Sequence, residues 1–159
     1  MGARAETLAK QFEAKAVEMT KALGQLTDAD WKKVTAAEQW SVGVTAHHVA
    51  SSHQGIAGLV KTLASGKSVP GFTMDMLHAG NAQHAKDFAG CTKAETLALH
   101  QKNAADAAAT VRALSDAQLE QSGTVITGAP AMTTQQVVEG ILINHIDDHL
   151  GSIRKTIAS

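Results

Sequence analysis

Apolar residues recur at intervals of three and four along most of this chain, which is the spacing of one face of an α-helix. The first such row lies near the N-terminus and consists of Leu8, Phe12, Ala16, Met19 and Leu23. Gly24 follows the row and is a candidate C-cap, because glycine readily adopts the left-handed conformation that ends many helices. The pattern predicts a long first helix that ends near Gly24.

Three further long helices are predicted from helix-start signals that precede apolar rows. The second begins just after Trp40-Ser41 and runs to Gly66. The third and fourth open with capping boxes, in which the side chains of the first and fourth residues each accept a hydrogen bond from the other's backbone N–H. These boxes are TKAE at 92–95 and TTQQ at 133–136, and their helices extend to residue 114 and through residue 153.

The connections between these helices carry turn signals and helix caps. SVPGF breaks the second helical pattern, and a shorter helix is predicted over 74–88. LTDADW and LSDAQL, after the first and third helices, each place a Thr or Ser cap before an acidic first turn, which indicates a faint internal repeat. GTVITGAPAM is interpreted as a loop. The prediction is one all-α domain over 1–159, an antiparallel four-helix bundle with short additional helices in the connections.

Composition and charge narrow the classes of function. The 159 residues carry a net charge of −1, which gives no electrostatic reason to expect nucleic acid or an anionic membrane as partner. Aromatic residues make up 3% of the chain, so base-stacking surfaces and a haem pocket are not expected. Cys91 is the single cysteine, the N-terminus lacks the apolar run of a signal peptide, and no segment is apolar for long enough to span a bilayer. These features predict a cytoplasmic protein.

The segment ILINHIDDHLGSI places two histidines on an apolar helical face. His145 and His149 lie in line with Ile141 and Ile153 at intervals of four, so all four share one face. A pair spaced H-x-x-x-H on a helix can bind one metal ion. The alternative is that the two histidines are solvated or have other hydrogen-bond partners. The isoleucines on the same helical face argue against a solvated pair. The glutamate of the H-E-x-x-H motif is missing, so a metalloprotease is not indicated.

A catalytic metal site with an open coordination position needs a third ligand from elsewhere in the chain. The second helix offers His47, His48 and His53. His48 lies on an apolar row, and the small Ser52 and Gly55 after it are expected to leave room for a pocket. His47 is expected to point to the side, where it either supports a ligand or is solvated. His53 is expected to lie in the core with a hydrogen bond to the backbone. The remaining histidines have no partner at metal spacing and are predicted at the surface: His78, His84 and His100.

Three features in this order resemble the DinB-like superfamily: W-S-V at 40–42, His48 eight residues after the tryptophan, and the H-x-x-x-H pair near the C-terminus. The resemblance runs through most of the chain. It implies a small four-helix metalloprotein in which His48, His145 and His149 are the metal ligands. The implied cofactor is a divalent metal ion, zinc in the first place and nickel as the alternative.

The same resemblance implies a chemistry. Relatives are metal-dependent thiol transferases or isomerases that use a low-molecular-weight thiol such as bacillithiol or mycothiol, maleylpyruvate isomerase among them. The predicted function is therefore the transfer of such a thiol cosubstrate to an electrophilic small molecule. Metal-dependent hydrolysis and non-catalytic binding of a metal or small molecule, as in a stress protein, stay open because the sequence offers no residue to assign as general base.

Four polar residues near the histidine pair are candidates for supporting roles. Asp147 and Asp148 either orient the ligand imidazoles or are solvated carboxylates, and the second interpretation is favoured. Asn144 is expected to line the pocket. Arg154 is expected to complement the helix dipole, with a place at the pocket mouth as the alternative.

A homodimer is predicted from the family resemblance, which implies paired bundles. Val49, Ile56 and Val60 lie outside the row of His48 and are expected to supply part of the contact. Sedimentation at micromolar concentration is the measurement that decides between a dimer and a monomer.

Overall fold

All four predicted long helices are present in the computed structural model of this protein, which describes residues 2–159. The first six helices are α1 (Ala3–Gly24), α2 (Asp28–Lys32), α3 (Val42–Ala64), α4 (Met74–Asp87), α5 (Lys93–Arg112) and α6 (Asp116–Glu120). The fourth long helix consists of α7 (Thr134–Val137), a π-helical segment (Val138–Ile143) and α8 (Asn144–Ala158). The predicted all-α four-helix bundle with short helices in its connections is confirmed. The helices are not all antiparallel to their neighbours, because α3 runs parallel to α5.

Local capping determines where the helices begin. Thr92 accepts a hydrogen bond from the backbone N–H of Glu95, whose side chain accepts from the N–H of Thr92, and the box at 133–136 is formed in the same way. Ser41 caps α3 by accepting from the N–H of Val44 at 3.0 Å. α2 and α6 each open with a complete capping box as well. The repeated L-[ST]-D-A sequence therefore marks a short capped helix at the end of α1 and of α5.

The GTVITGAPAM stretch, predicted as a loop, is closed at its base by a short antiparallel ladder. β1 (Ser122–Gly123) pairs with β2 (Met132–Thr133), with Gly123 opposite Met132. The backbone carbonyl of Lys67 lies so close to Gly123 that a Cβ atom there would collide with it. Because only glycine permits this approach, the ladder is fixed against the segment that follows α3.

Contacts between the long helices establish their directions. Arg112 at the end of α5 binds Glu6 and Glu13 in the first half of α1, so these two helices are antiparallel. α3 and α8 are also antiparallel neighbours, whereas α1 runs parallel to α8 and α3 runs parallel to α5. In chain order, the four long helices therefore run up, down, down and up. It places α3 and α8, which carry the predicted metal ligands, side by side.

The hydrophobic core lies between the four long helices and draws on all of them. Val49, Ile56 and Val60 belong to it, and none is more than 8% exposed. The prediction that these three residues supply a dimer contact is wrong, because the chain itself covers their side chains. The homodimer stays a prediction. No helix within residues 2–159 combines the length and the apolar character that crossing a membrane requires.

Candidate metal centre

Three histidines from two helices meet on one side of the bundle, where α3 packs against α8. His48 on α3 faces His145 and His149, which lie one turn apart on α8. Nε2 of His48 is 3.1 Å from Nε2 of His145, and one ring nitrogen from each of the three residues lies within 4.8 Å of the others. The fold thus brings together the three histidines that were predicted as ligands.

The arrangement fits a divalent cation. Nitrogen ligands at 2.0–2.1 Å from a tetrahedral zinc ion are about 3.3 Å apart, and the Nε2 atoms of His48 and His145 are separated by 3.1 Å. Burial, reinforced by neighbouring imidazoles, lowers the pKa of His48 to about 4 and that of His145 to about 3. Both rings are therefore neutral at pH 7, the form that binds a metal ion. Three such nitrogens leave a fourth position for another molecule.

Glu38 is the carboxylate that holds His149, and no pattern in the sequence predicted this contact. Its Oε1 lies 2.8 Å from Nδ1 of His149, and its Oε2 accepts a hydrogen bond from the Ser152 hydroxyl at 2.6 Å. Burial acts to raise the pKa of Glu38, but hydrogen bonds from Ser152, Thr35 and His149 outweigh it and lower the pKa below its usual value. An ionised carboxylate only accepts hydrogen bonds, so Nδ1 of His149 carries a proton and donates a hydrogen bond to Glu38. In a neutral imidazole with its proton on Nδ1, the free lone pair is on Nε2.

A tight loop before α3 places Glu38 and Trp40 beside the histidines. The backbone N–H of Thr35 donates to the carbonyl of Trp40 at 2.8 Å, and Gln39 between them adopts a left-handed φ of 61°. Glu38 is thereby directed towards α8, while the Trp40 ring packs edge-on against His48 with ring centroids 5.3 Å apart. The W-S-V segment therefore packs against a candidate ligand in addition to starting α3.

A pair of imidazoles borders His48 on its other side. Nε2 of His84, on α4, is 2.8 Å from Nδ1 of His47, and the His84 ring centroid is 5.7 Å from that of His48. The Ser51 hydroxyl donates to the His48 carbonyl at 3.2 Å, and its oxygen also lies 3.3 Å from Nε2 of His84. Phe88 stacks on His47 with centroids 4.1 Å apart. The prediction that His84 lies at the surface is wrong, because these contacts fix it against α3.

Several other predictions for the histidines need correction. His100, predicted at the surface, is fully buried, and His47 is 6% exposed and contacts His84, so the alternative that it is solvated is wrong. His53 lies in the core as predicted, but its Nε2 bonds to Nδ1 of His100 at 3.0 Å and not to the backbone. Spacing along one helix missed this pair because its members come from α3 and α5. Gly55, expected to leave room beside His48, is exposed, and His78 is exposed as predicted.

The polar residues on α8 contact other partners than the histidine cluster. Asp147 pairs with Lys15 at 2.9 Å, and Asp148 accepts a hydrogen bond from Asn144 at 3.2 Å. Both aspartates are exposed, which confirms the favoured interpretation of them as solvated carboxylates. Asn144 is exposed too and bonds to Asp148, so the prediction that it lines the site is wrong.

The lowered histidine pKa values make the stability of the metal-free protein depend on pH. Below the ordinary pKa of 6.5, the unfolded chain binds protons at His48 and His145 that the folded chain does not bind until the pH approaches 4 and 3. We expect the free energy of unfolding to fall between pH 7 and pH 5, by up to about 2 kcal/mol for each such histidine. Urea denaturation at the two pH values, with a chelator present, measures the change.

His53 provides the matched variant for this experiment. Burial and the nearby His100 lower its pKa to about 3, so His53→Gln removes one of the contributing groups. The variant should show a shallower loss of stability than the wild type. Equal wild-type stability at pH 7 and pH 5 would contradict the prediction.

Helical bundles commonly build metal sites from side chains on facing helices, and here two neighbouring helices bring three imidazoles together. The sequence profile of the DinB superfamily matches residues 11–153, and the chain belongs to that superfamily. No curated protein matches the chain in sequence.

Solved structures share this fold. YfiT from Bacillus subtilis, described as a probable metal-dependent hydrolase with an unusual four-helix bundle topology, aligns with a TM-score of 0.79 at 18% identity, over 98% of this chain and 87% of YfiT. The mycothiol-dependent maleylpyruvate isomerase aligns with a TM-score of 0.73 at 12% identity, over 94% of this chain and 60% of the isomerase. A histidine-to-alanine mutant of that isomerase gives 0.75 at 11% identity over the same shares. At these identities the likeness establishes the fold alone.

Proposed function

We propose that this protein is a divalent-metal-dependent enzyme that transfers a low-molecular-weight thiol to an electrophilic small molecule. His48, His145 and His149 are the proposed ligands, with zinc as the first choice of metal and nickel as the second. The observation that carries the proposal is the convergence of their ring nitrogens within 4.8 Å. The descriptions of the two structural neighbours, one metal-dependent and one mycothiol-dependent, support it.

The residues around the site prepare it for binding. Glu38 keeps the proton of His149 on Nδ1, and burial keeps His48 and His145 neutral. Trp40 packs against the His48 ring and restrains its orientation. A divalent cation held here would act as a Lewis acid and would lower the pKa of a thiol that it binds, so that a thiolate nucleophile exists at neutral pH.

The arginines of the chain favour a substrate of low negative charge. All three are held in ion pairs with glutamates: Arg4 with Glu120, Arg112 with Glu6 and Glu13, and Arg154 with Glu18. Arg154 therefore contacts α1, and the predicted alternative that it faces a pocket mouth is not supported. A strongly anionic substrate would find no free guanidinium in the part of the chain that the structure describes.

Metal-dependent hydrolysis is the second candidate function, because YfiT is described as a probable hydrolase. Hydrolysis uses a base to activate water in addition to the cation. Glu38 contacts Nδ1 of His149, the ring nitrogen that faces away from the proposed metal, so it is not placed to act as that base. Thiol transfer needs no base once the thiol is ionised, and the departing group or the product anion can take its proton from solvent, which is why we place it first. Non-catalytic binding is the remaining alternative, and a lack of turnover with all thiols and esters would favour it.

Cobalt substitution tests whether the site accepts a thiol. Mycothiol, bacillithiol, cysteine and glutathione are each added to protein loaded with Co²⁺, and absorption spectra are recorded. We expect a sulfur-to-cobalt charge-transfer band with at least one of them, because the thiolate enters the position that three nitrogen ligands leave open. Burial raises the pKa of Cys91, the single cysteine, so the protein's own thiol should not produce the band.

Two variants control this experiment. Cys91→Ser removes the single protein thiol and should retain the band in full. His149→Ala should lose the band together with the cobalt. If fully loaded wild-type protein shows no band with any of the four thiols, thiol transfer is excluded, and hydrolysis or non-catalytic binding is left.

Partners and location are also proposals. We propose a cytoplasmic homodimer that acts on a small molecule and does not bind nucleic acid or membranes, on the basis of the family and of the near-zero net charge. A single monomeric species in sedimentation at micromolar concentration would contradict the homodimer.

A further inference from the structure

A groove lies between α3 and α5, and none of the three candidate metal ligands lines it. Its volume is about 790 Å³, which is within the range of small-molecule sites. The wall combines two carboxylates, an amide and an imidazole with two apolar side chains: Asp87, Glu95, Asn103, His47, Phe88 and Leu99. The proposed function uses none of these six residues.

The two carboxylates of the groove are not neutralised by a cation of the protein. Oε2 of Glu95 accepts a hydrogen bond from the backbone N–H of Thr92 at 3.3 Å, and Oδ1 of Asp87 accepts one from the side-chain amide of Gln83 at 2.7 Å. Neither carboxylate forms an ion pair within residues 2–159, and no lysine or arginine lines the groove. One oxygen of each carboxylate is therefore free to accept a hydrogen bond from a ligand.

A buried amide adds a third free acceptor. Asn103 is 4% exposed, and its Nδ2 donates to the backbone carbonyl of Ala50 at 3.0 Å. Because a carbonyl oxygen only accepts, this contact fixes the orientation of the amide and leaves Oδ1 on its other side. In the described part of the chain Oδ1 accepts no hydrogen bond, yet it is not closed off from solvent, and Asn103 lines the groove. The open side of Oδ1 is therefore the groove.

The apolar part of the wall supplies a surface for the body of a ligand. Phe88 is 41% exposed, and His47 stacks on its ring with centroids 4.1 Å apart. Leu99 is half-buried and lines the same groove. Burial lowers the pKa of His47, and the charge of Glu95 acts against this shift, so the negative field of that carboxylate reaches the aromatic wall.

We propose that this groove binds an organic ammonium ion, that is, a protonated amine attached to an apolar or aromatic body. A primary ammonium group has N–H donors and no acceptor, whereas the free oxygens of Asp87, Glu95 and Asn103 only accept. The exposed ring of Phe88 adds the attraction of an aromatic ring for a cation. An anion of the same size would meet two carboxylates of its own sign. The site is separate from the candidate metal centre, so it does not depend on thiol transfer.

Benzylamine is the probe for this groove, because it carries a protonated amine on an aromatic body at pH 7. Benzyl alcohol and benzoate are its neutral and anionic counterparts. Each is titrated into ¹⁵N-labelled wild-type protein at low ionic strength while ¹H–¹⁵N NMR spectra are recorded. We expect benzylamine to shift the side-chain amide of Asn103 and the backbone amides of Gln54 and Gly90. It should bind at least about 5-fold more tightly than either counterpart, and added salt should reduce this preference.

A chelator distinguishes the groove from the metal centre. The neutral form of an amine can ligate zinc, so the titration is run with zinc-loaded protein and with metal-free protein. The proposal requires the same groove shifts and the same affinity in both. Benzylamine binding that disappears with the metal would overturn it. Groove binding by a protein that takes up no zinc would refute the proposed function and retain the ammonium site.

Substitutions that keep the hydrogen-bonding shape test the two charges. Glu95→Gln retains a side chain that completes the capping box of α5, and Asp87→Asn retains an oxygen for Gln83. Each should weaken benzylamine binding about 2- to 5-fold and leave the binding of benzyl alcohol unchanged. Asn103→Leu removes the third acceptor at similar volume and should weaken benzylamine binding too. Asp75→Asn is the control, because Asp75 is an exposed carboxylate of α4 that does not line the groove.

The outcomes separate recognition of the ammonium group from other causes. Equal affinity for benzylamine and benzyl alcohol would reduce the groove to an apolar surface and contradict the proposal. Equal losses in Asp75→Asn and Glu95→Gln would contradict it as well, because the net charge of the protein would then be responsible. If Asn103→Leu does not fold, Glu95→Gln and Asp87→Asn still decide. Groove amides that do not shift at millimolar benzylamine would show that the groove is not an ammonium site.

Discussion

Replacing His149 with alanine is expected to abolish tight binding of zinc or cobalt and to leave the bundle folded. The variant removes one of three converging imidazoles and leaves Glu38 without the donor that it holds. We expect the dissociation constant to rise by more than about 100-fold, above the range seen when only a supporting group is lost. The fold should persist because the buried row of α8 that includes Ile146 and Leu150 is untouched.

Metal content after dialysis, chelator competition and thermal unfolding by circular dichroism measure these effects. His78→Ala is the matched control, because His78 is also a helical histidine but is exposed. This control should bind metal as the wild type does. Normal metal occupancy in a folded His149→Ala protein would show that the three histidines do not form the site.

Replacing Glu38 is expected to produce the second-largest loss of metal affinity. Glu38→Ala removes the acceptor that keeps the proton of His149 on Nδ1, so the ring is free to rotate and to change tautomer. A loss of metal affinity of about 10- to 100-fold is typical when the group that holds a ligand histidine is removed. Glu38→Gln can still accept a hydrogen bond through its amide oxygen but lacks the charge, so its loss should be smaller.

Asp148→Ala is the control that makes this prediction specific. Asp148 is a carboxylate next to His149 in sequence, but it accepts its hydrogen bond from Asn144 and is exposed. Its removal should leave metal affinity unchanged. Equal losses in Asp148→Ala and Glu38→Ala would show that general charge near the site, and not the contact with His149, is responsible.

Local signals in the sequence were sufficient to predict the helices and where they begin. A capping box needs only residues three positions apart, so the boxes at 92–95 and 133–136 and the caps of α2 and α6 are encoded where they act. The spacing of His145 and His149 is likewise local, since one turn of helix sets their distance. The six-residue π-helical segment before His145 was not predicted, because its apolar pattern is compatible with an α-helix too.

The surroundings of the histidines depend on contacts between distant parts of the chain. Glu38 lies 111 positions from His149 and meets it only because α3 packs antiparallel to α8. His84 and His100 had no partner at helical spacing, and their partners are on other helices.

The sequence by itself therefore determined the helices, their caps and the spacing of the histidine pair, because interactions between residues within one turn decide these features. The tertiary structure alone decided which nitrogen of each imidazole faces the site. A ring nitrogen is directed by the acceptor or donor that it meets across the bundle, and the packing of four helices selects that partner.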